Sequence, residues 1–233
     1  MIVLGGKRVA VPGVSDTKNP LDHAVPWMTD GHERTRRIEA IVVHTTKGRR
    51  GDLLTTEPPA SERAERYARY QAGTKRDVSW DFSVDLDGTV VQHNDPTGAC
   101  GGRAVPWVSW HAGHANEWSI GVEIVQTEGR ALYLAQLKVA VALVGFLCDQ
   151  YGVPRRVPVD ATGRSWSGPI YECVSTKRGG RQCAVEGVLG HCNVTTPDSR
   201  GPGDPGDHVR AALLASGFAG YDVTALAASS ARS

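Results

Sequence analysis

Short apolar runs rich in β-branched residues alternate with segments of helical periodicity along this chain. That alternation predicts an α/β layer structure, with helices on both faces of a central sheet. Three observations carry the prediction. Ile38 to Val43, Ile120 to Val125 and Val188-Leu189 have the composition of buried strands. Between residues 131 and 151, Leu134, Leu137, Val141, Val144, Cys148 and Tyr151 recur at steps of three and four, one apolar stripe of a helix. Finally, 233 residues suffice for one domain with a sizeable core and leave too little for a second of ordinary size.

Taken in order, residues 1–37 include Asn19-Pro20 and Val25-Pro26, end in a charged run at Arg36-Arg37 and show no sustained periodicity. They read as an irregular N-terminal arm ahead of a domain over 38–218. Ile38 to Val43 is a strand that delivers His44 at its end. Ser61, ahead of a stretch dense in Glu, Arg, Ala and Tyr, predicts a capped helix over 61–72 whose charges form a solvated face. Trp80 to Val84 and Val90 to Gln92 flank Asp87-Gly88, a hairpin signature. Ile120 to Val125 is the next strand, and the helix over 131–151 stops at Gly152, just before Pro154. The stretch 154–186, with two basic clusters, Cys173, Cys183, Trp166 and Tyr171, reads as an inserted loop or hairpin. Val188-Leu189 leads to His191, and a terminal helix over 207–216 has Asp207 in its first turn, where the helix dipole favours an anion. The small-residue tail, 219–233, is expected to fray.

Composition excludes several function classes. With 26 Lys and Arg against 25 Asp and Glu, the net charge of +1 gives no field that would gather nucleic acid or an anionic membrane. The apolar start at Met1 is interrupted by Lys7-Arg8, too early for a signal-peptide core, and no apolar run is expected to reach the length of a membrane span. The expectation is synthesis in the cytoplasm without a secretion signal. Five cysteines without C-x-x-C spacing fit a reducing compartment, although a Cys173 to Cys183 bridge stays open for a protein that works outside. Cys148 lies in the helical stripe and is expected in the core.

The chemistry rests on three positions: His44 in Val43-His44-Thr45-Thr46, His191 in Gly190-His191-Cys192-Asn193, and Asp204 in Asp204-Pro205-Gly206. Two imidazoles and one carboxylate leave a fourth position open on tetrahedral zinc, which separates a hydrolytic site from a structural one. An isolated histidine is more often an ordinary hydrogen-bonded residue, and His23, His32, His93 and His208 are read that way.

Between His44 and His191 stand, in order, Val78-Ser79-Trp80-Asp81-Phe82-Ser83-Val84-Asp85-Leu86-Asp87-Gly88-Thr89, Trp110-His111-Ala112-Gly113 and Ser119-Ile120-Gly121-Val122-Glu123. With these motifs the chain resembles the N-acetylmuramoyl-L-alanine amidase family, the type shared by phage endolysins, wall-recycling amidases and peptidoglycan recognition proteins. The resemblance runs from about Ile38 to about Phe218, with a gap between Pro154 and Glu186. It implies a mixed sheet of five or six strands, a Zn2+ cofactor held by His44, His191 and Asp204, and hydrolysis of the amide between N-acetylmuramic acid and L-alanine in peptidoglycan or muropeptides. Asp198, Asp207 and Cys192 are rivals for the third ligand. Glu123 matches the family's catalytic glutamate. Many relatives have Tyr where this chain has Trp80, and a Lys where it has Pro202; Arg200 or His111 is the candidate replacement for that cation or donor. Trp80, Trp110, His111, Asn116 and Thr46 are the candidate groove residues. The expected protein is a monomer that acts on the wall after release, as a phage lysin does, or on cytoplasmic muropeptides. The competing reading is a recognition protein on the same fold that binds peptidoglycan without cutting it.

Overall fold

The structure, a computed structural model, describes residues 1–48, 51–73, 78–99, 101–168, 170, 186–194 and 204–224, the side chain of His114 excepted. Its first residues form strands, which corrects the expectation of an irregular arm. β1 (Ile2–Leu4) and β2 (Lys7–Val9) make an antiparallel hairpin through Gly5 and Gly6, whose φ values of 57° and 76° suit a two-residue turn. Ile2 is fully buried in the main core. β3 (Thr17–Lys18) and β4 (His32–Glu33) follow. Strands this short show no alternation and take their pairing from partners distant in sequence, so periodicity could not reveal them.

β5 (Ala40–Thr45) carries His44 as its penultimate residue, and β6 (Leu53–Leu54) leads to α1 (Arg63–Gly73). That helix starts two residues later than expected: Ser61 Oγ accepts from Arg63 N at 3.3 Å, while the Ala64 N–H is taken by Asp85 Oδ2 at 2.7 Å. β7 (Phe82–Val84) and β8 (Val90–Gln92) form the expected hairpin, with Gly88 at φ 86°. β9 (Trp107–Val108) pairs with β4, and a 3-10 helix over Gly113–Trp118 feeds β10 (Ser119–Ile124).

β11 (Leu132–Tyr133) pairs with β6 and takes the residues expected to open the next helix, so α2 spans Leu134–Tyr151. Gly152 ends it at φ 66°, a left-handed conformation that costs glycine little. With 18 residues, α2 is long and apolar enough to cross a membrane, which corrects the expectation that no run reaches that length. Eight of its residues are buried, among them Leu137, Leu143, Leu147 and Cys148, as in the core helix of a folded domain. β12 (Arg156–Val159), β13 (Gly187–Gly190), the single turn α3 (His191–Val194), α4 (Asp207–Ala215) and β14 (Ala219–Asp222) complete the described chain. β12 pairs in parallel with β14, and Val223 is fully buried. The expected insertion therefore begins as a strand, and the expected tail begins as its partner. Tyr171, Cys173 and Cys183 lie outside the described residues, as does Cys100; Cys148 and Cys192 are buried thiols.

Six strands form the central sheet among the described residues, in the order β13-β5-β10-β7-β8-β3. The first four run parallel, β7 and β8 are antiparallel, and β3 runs parallel to β8, so the sheet is mixed. Alternation along the strands divides the core. Ile41, Val43, Ile120, Val122 and Ile124 pack with Leu143 and Leu147 of α2, and with Val209 and Leu213 of α4. Ala40 and Val42 face the other way, towards Ala115 and Trp118 of the 3-10 helix. Val91 joins Ala64 and Ala68 of α1 in a third cluster. The result is the predicted α/β arrangement, helical on both faces.

Candidate active site

Register across the sheet places the chemistry. His44 of β5 lies opposite Glu123 of β10, Glu123 opposite Ser83 of β7, and Ser83 opposite Val91 of β8, one row on one face. His191 opens α3 directly after β13, the strand on the other side of β5, so it arrives beside His44 with ring centroids 5.0 Å apart. Asp204 is brought in by two devices. Thr45 Oγ1 donates to its carbonyl oxygen at 2.8 Å, and Gly190 allows Pro205 to sit where any Cβ would lie 2.8 Å from the proline Cγ. Asp204 Oδ1 then stands 3.7 Å from His191 Nδ1.

The rivals for the third ligand fare differently. Cys192 Sγ accepts from buried Arg210 Nη2 at 2.9 Å, and Asp207 has an exposed side chain 3.5 Å from Arg210 Nη1. Asp198 and Arg200 lie outside the described residues.

His44, His111, His191 and Glu123 line one cavity of about 380 Å³, together with Thr45, Thr46, Tyr67, Val78, Trp80, Trp110 and Gly113. Burial holds the His44 imidazole well below its ordinary range, and neighbouring His191 and His111 push it further. Burial also lowers His191, with Asp204 pulling in the opposite direction. His111 is taken down to about 3 by burial, assisted by Arg34 and His191. All three rings are therefore neutral at pH 7. Glu123 moves the other way: burial alone lifts its carboxyl to about 8, and Oε1 finds no hydrogen-bond partner among the described residues.

Hydrogen bonds assign the tautomers around His44. Ser119 Oγ gives its proton to the Ala115 carbonyl at 2.5 Å, so it accepts from His111 Nε2 at 3.3 Å. His111 Nδ1 is then an acceptor for His44 Nε2–H at 3.1 Å, which leaves the His44 Nδ1 lone pair as the ligating one. Gly121 makes room for this ring, since a Cβ there would lie 2.6 Å from His111 Cγ. Asn116, expected in the groove, is buried behind it, its Oδ1 accepting from the backbone N–H groups of His111 and Ala112 at 2.9 and 2.6 Å. Trp80 is 8% exposed, with its indole N–H tied to Ser83 Oγ at 2.6 Å. Trp110 stacks on His32 of the N-terminal strands at 4.6 Å. Thr46 lines the cavity, and its Oγ1 accepts from Gln126 N at 3.0 Å.

Among the described residues, no three His, Cys, Asp or Glu side chains are placed closely enough to hold a metal ion. The chemistry of His44, His191 and Asp204 is nevertheless that of zinc ligands. Both imidazoles are neutral, as metal ligands must be, and 3.7 Å between His191 Nδ1 and Asp204 Oδ1 is close to the ~3.4 Å separating two donors on tetrahedral zinc.

Reasoning from sequence missed Tyr67, Thr45 and Val78 in the cavity. Tyr67 sits on α1, whose charges mask a buried stripe of Ala64, Ala68 and Gln71. That small-residue stripe was the available signal that the helix docks with a flank facing the site.

A mixed α/β sheet that gathers neutral imidazoles and a buried carboxyl at the strand ends has the build of a hydrolase-type site. The family model for N-acetylmuramoyl-L-alanine amidase matches residues 34–207, and the chain belongs to that family. The family comprises peptidoglycan amidases, generally zinc-dependent, together with recognition proteins that do not cut. Among solved structures, the amidase LysC from Clostridium intestinale URNW is 15% identical, covering 86% of this chain and 98% of its own at a TM-score of 0.45. A selenomethionine AmpD derivative is 19% identical over 92% of this chain and 98% of its own, TM-score 0.45. The peptidoglycan recognition proteins LCa and LCx, bound to tracheal cytotoxin, give 15% identity over 80% of this chain and 90% of that one, TM-score 0.43. At that distance these structures carry nothing about this chain's chemistry. No curated protein matches the sequence.

Proposed function

We propose that this protein is a zinc-dependent amidase that hydrolyses the bond between the lactyl group of N-acetylmuramic acid and L-alanine, in peptidoglycan or in muropeptides. One observation supports the reading above the rest: Glu123 is buried in the same cavity as His44 and His191, with Oε1 bonded to nothing among the described residues. A carboxyl group withdrawn from water without a partner costs stability, which marks it as a candidate for function, and its displacement towards neutral pH suits proton transfer.

His44 and His191, with Asp204 against His191, would hold the ion. Bound zinc supplies Lewis acidity, brings the pKa of water towards about 7, and favours the ionised form of a nearby carboxyl group. Glu123 takes one proton from the attacking water as the new C–O bond forms and the carbonyl π pair moves onto its oxygen. The C–N bond then breaks, and Glu123 returns that proton to the departing alanine nitrogen. His111, whose ring nitrogens are engaged by His44 and Ser119, orients the ligand ring. Trp110 offers an aromatic surface to the sugar or peptide.

A recognition protein without catalysis is favoured by one observation: among the described residues no three side chains are placed to hold a metal ion. Incubating the zinc-supplemented protein with purified peptidoglycan and analysing the products by mass spectrometry separates the two. New L-alanine amino termini beside intact glycan are expected; unchanged wall that still retains the protein would overturn the amidase reading.

A further inference from the structure

Hydrolysis of an amide places negative charge on the carbonyl oxygen, and an enzyme gains most from a fixed donor aimed at it. Among the described residues lining the cavity, most candidate donors are committed. Trp80 Nε1 is bound to Ser83, Thr45 Oγ1 to the Asp204 carbonyl, and His111 to Ser119 and His44. Trp110 Nε1 is closed off from solvent. Tyr67 differs. Its phenol is half-buried, lies within electrostatic reach of Glu123, and shares a hydrogen bond with Thr46. Thr46 Oγ1 accepts from Gln126 N and keeps its own proton to give; donated to the Tyr67 oxygen, that proton leaves the Tyr67 O–H for the cavity.

The position is rigid. α1 is pinned at its start by Asp85 Oδ2 on Ala64 N and near its end by Gln71 Oε1, which accepts from Trp80 N at 3.1 Å. The Tyr67 ring meets Trp80 edge-on, with centroids 5.5 Å apart. Trp80 in turn is latched through Ser83 to fully buried His93, whose Nε2 lies 2.6 Å from Ser83 Oγ. A tryptophan that cannot donate into the cavity thus becomes the wall against which a tyrosine from another element is set.

We propose that Tyr67 is a catalytic residue of this site, its hydroxyl donating a hydrogen bond to the oxygen of the scissile carbonyl as charge builds there. The inference rests on the amidase reading above. No covalent bond to Tyr67 forms and no proton leaves it. Its donor strengthens as the carbonyl π pair shifts to oxygen and relaxes when the C–N bond breaks.

The test is Tyr67→Phe, which removes only the hydroxyl and keeps the ring against Trp80. On soluble muropeptide, kcat is expected to fall about 100-fold, the loss typical of removing one such donor, with KM within about twofold and zinc content and tryptophan emission unchanged. A phosphinate carrying phosphorus at the scissile carbon mimics the tetrahedral oxygen. Measured by calorimetry, its affinity should fall by a factor similar to that in kcat/KM. If Tyr67→Phe keeps parental kcat, or binds the phosphinate as tightly as the parent, the role of Tyr67 is overturned and the amidase reading stands. If the parent itself releases no L-alanine amino termini, the amidase reading fails and takes the Tyr67 role with it.

Discussion

Replacing Glu123 by Gln should stabilise the metal-free protein, and by an amount that grows with pH. Burial lifts this carboxyl from 4.5 to about 8, so in the folded chain it stays protonated at pH 7 while in the unfolded chain it ionises. A raised carboxyl pKa means that the folded state has its full stability below the unfolded value, near 4.5, and loses it as pH rises towards the folded value, near 8. Each unit is worth about 1.36 kcal/mol. Between 4.5 and pH 7 the loss is therefore about 3 kcal/mol, and above pH 8 it levels off at about 5 kcal/mol. The variant's amide is neutral in both states and escapes this loss. Every other ionisable group is common to the two proteins, so the difference between their stabilities isolates this one. Urea unfolding of chelator-treated parent and Glu123→Gln at pH 4, 7 and 8.5 should give coincident midpoints at pH 4 and a variant midpoint higher by about 1 M at pH 7. With zinc bound the gap should narrow, because a nearby dication favours the carboxylate. A stability difference independent of pH would refute the reasoning, since it would mean that the carboxyl group is not desolvated. The same variant, zinc-loaded, should cleave at least about 100-fold more slowly than the parent through loss of its proton carrier.

His44→Ala and His191→Ala are each expected to lower bound zinc well below one ion per chain after dialysis against micromolar metal; full occupancy in both, read by elemental analysis, would count against the ligand set. Gly121→Ala puts a methyl group where His111 Cγ lies 2.6 Å away, and ring and backbone cannot both stay in place. It should cost about 1–3 kcal/mol of stability and weaken zinc affinity through the displaced His44, measurable by unfolding and by chelator competition; an unchanged zinc affinity would show that His111 does not orient His44.

Much of the site was legible because its residues stand in motifs. His44, Glu123 and His191 each stand beside a strand or helix boundary that apolar runs announce, His111 stands in a motif of its own, and the structure brings all four to one cavity. The strands β5 and β10 and the helices α2 and α4 followed from the same runs, because a six-residue β-branched strand and an 18-residue helix leave a local hydrophobic pattern strong enough to read. The two-residue strands at Thr17–Lys18 and His32–Glu33 leave none, and neither does β14, which is mostly exposed and exists because β12 offers it a partner.

By itself, then, the amino-acid sequence determined the α/β class, the long core helix, the hairpin at Asp87-Gly88 and the chemical types at the site, since each depends on neighbours within a few turns or on a motif. Only the tertiary structure decided the row His44-Glu123-Ser83-Val91, the burial that shifts Glu123, the retreat of Asn116 behind the His111 loop and the arrival of Tyr67 from α1. The physical reason is that register, desolvation and the facing of one element towards another are set by pairings across tens of residues, and no local pattern encodes the distance between two side chains that far apart in the chain.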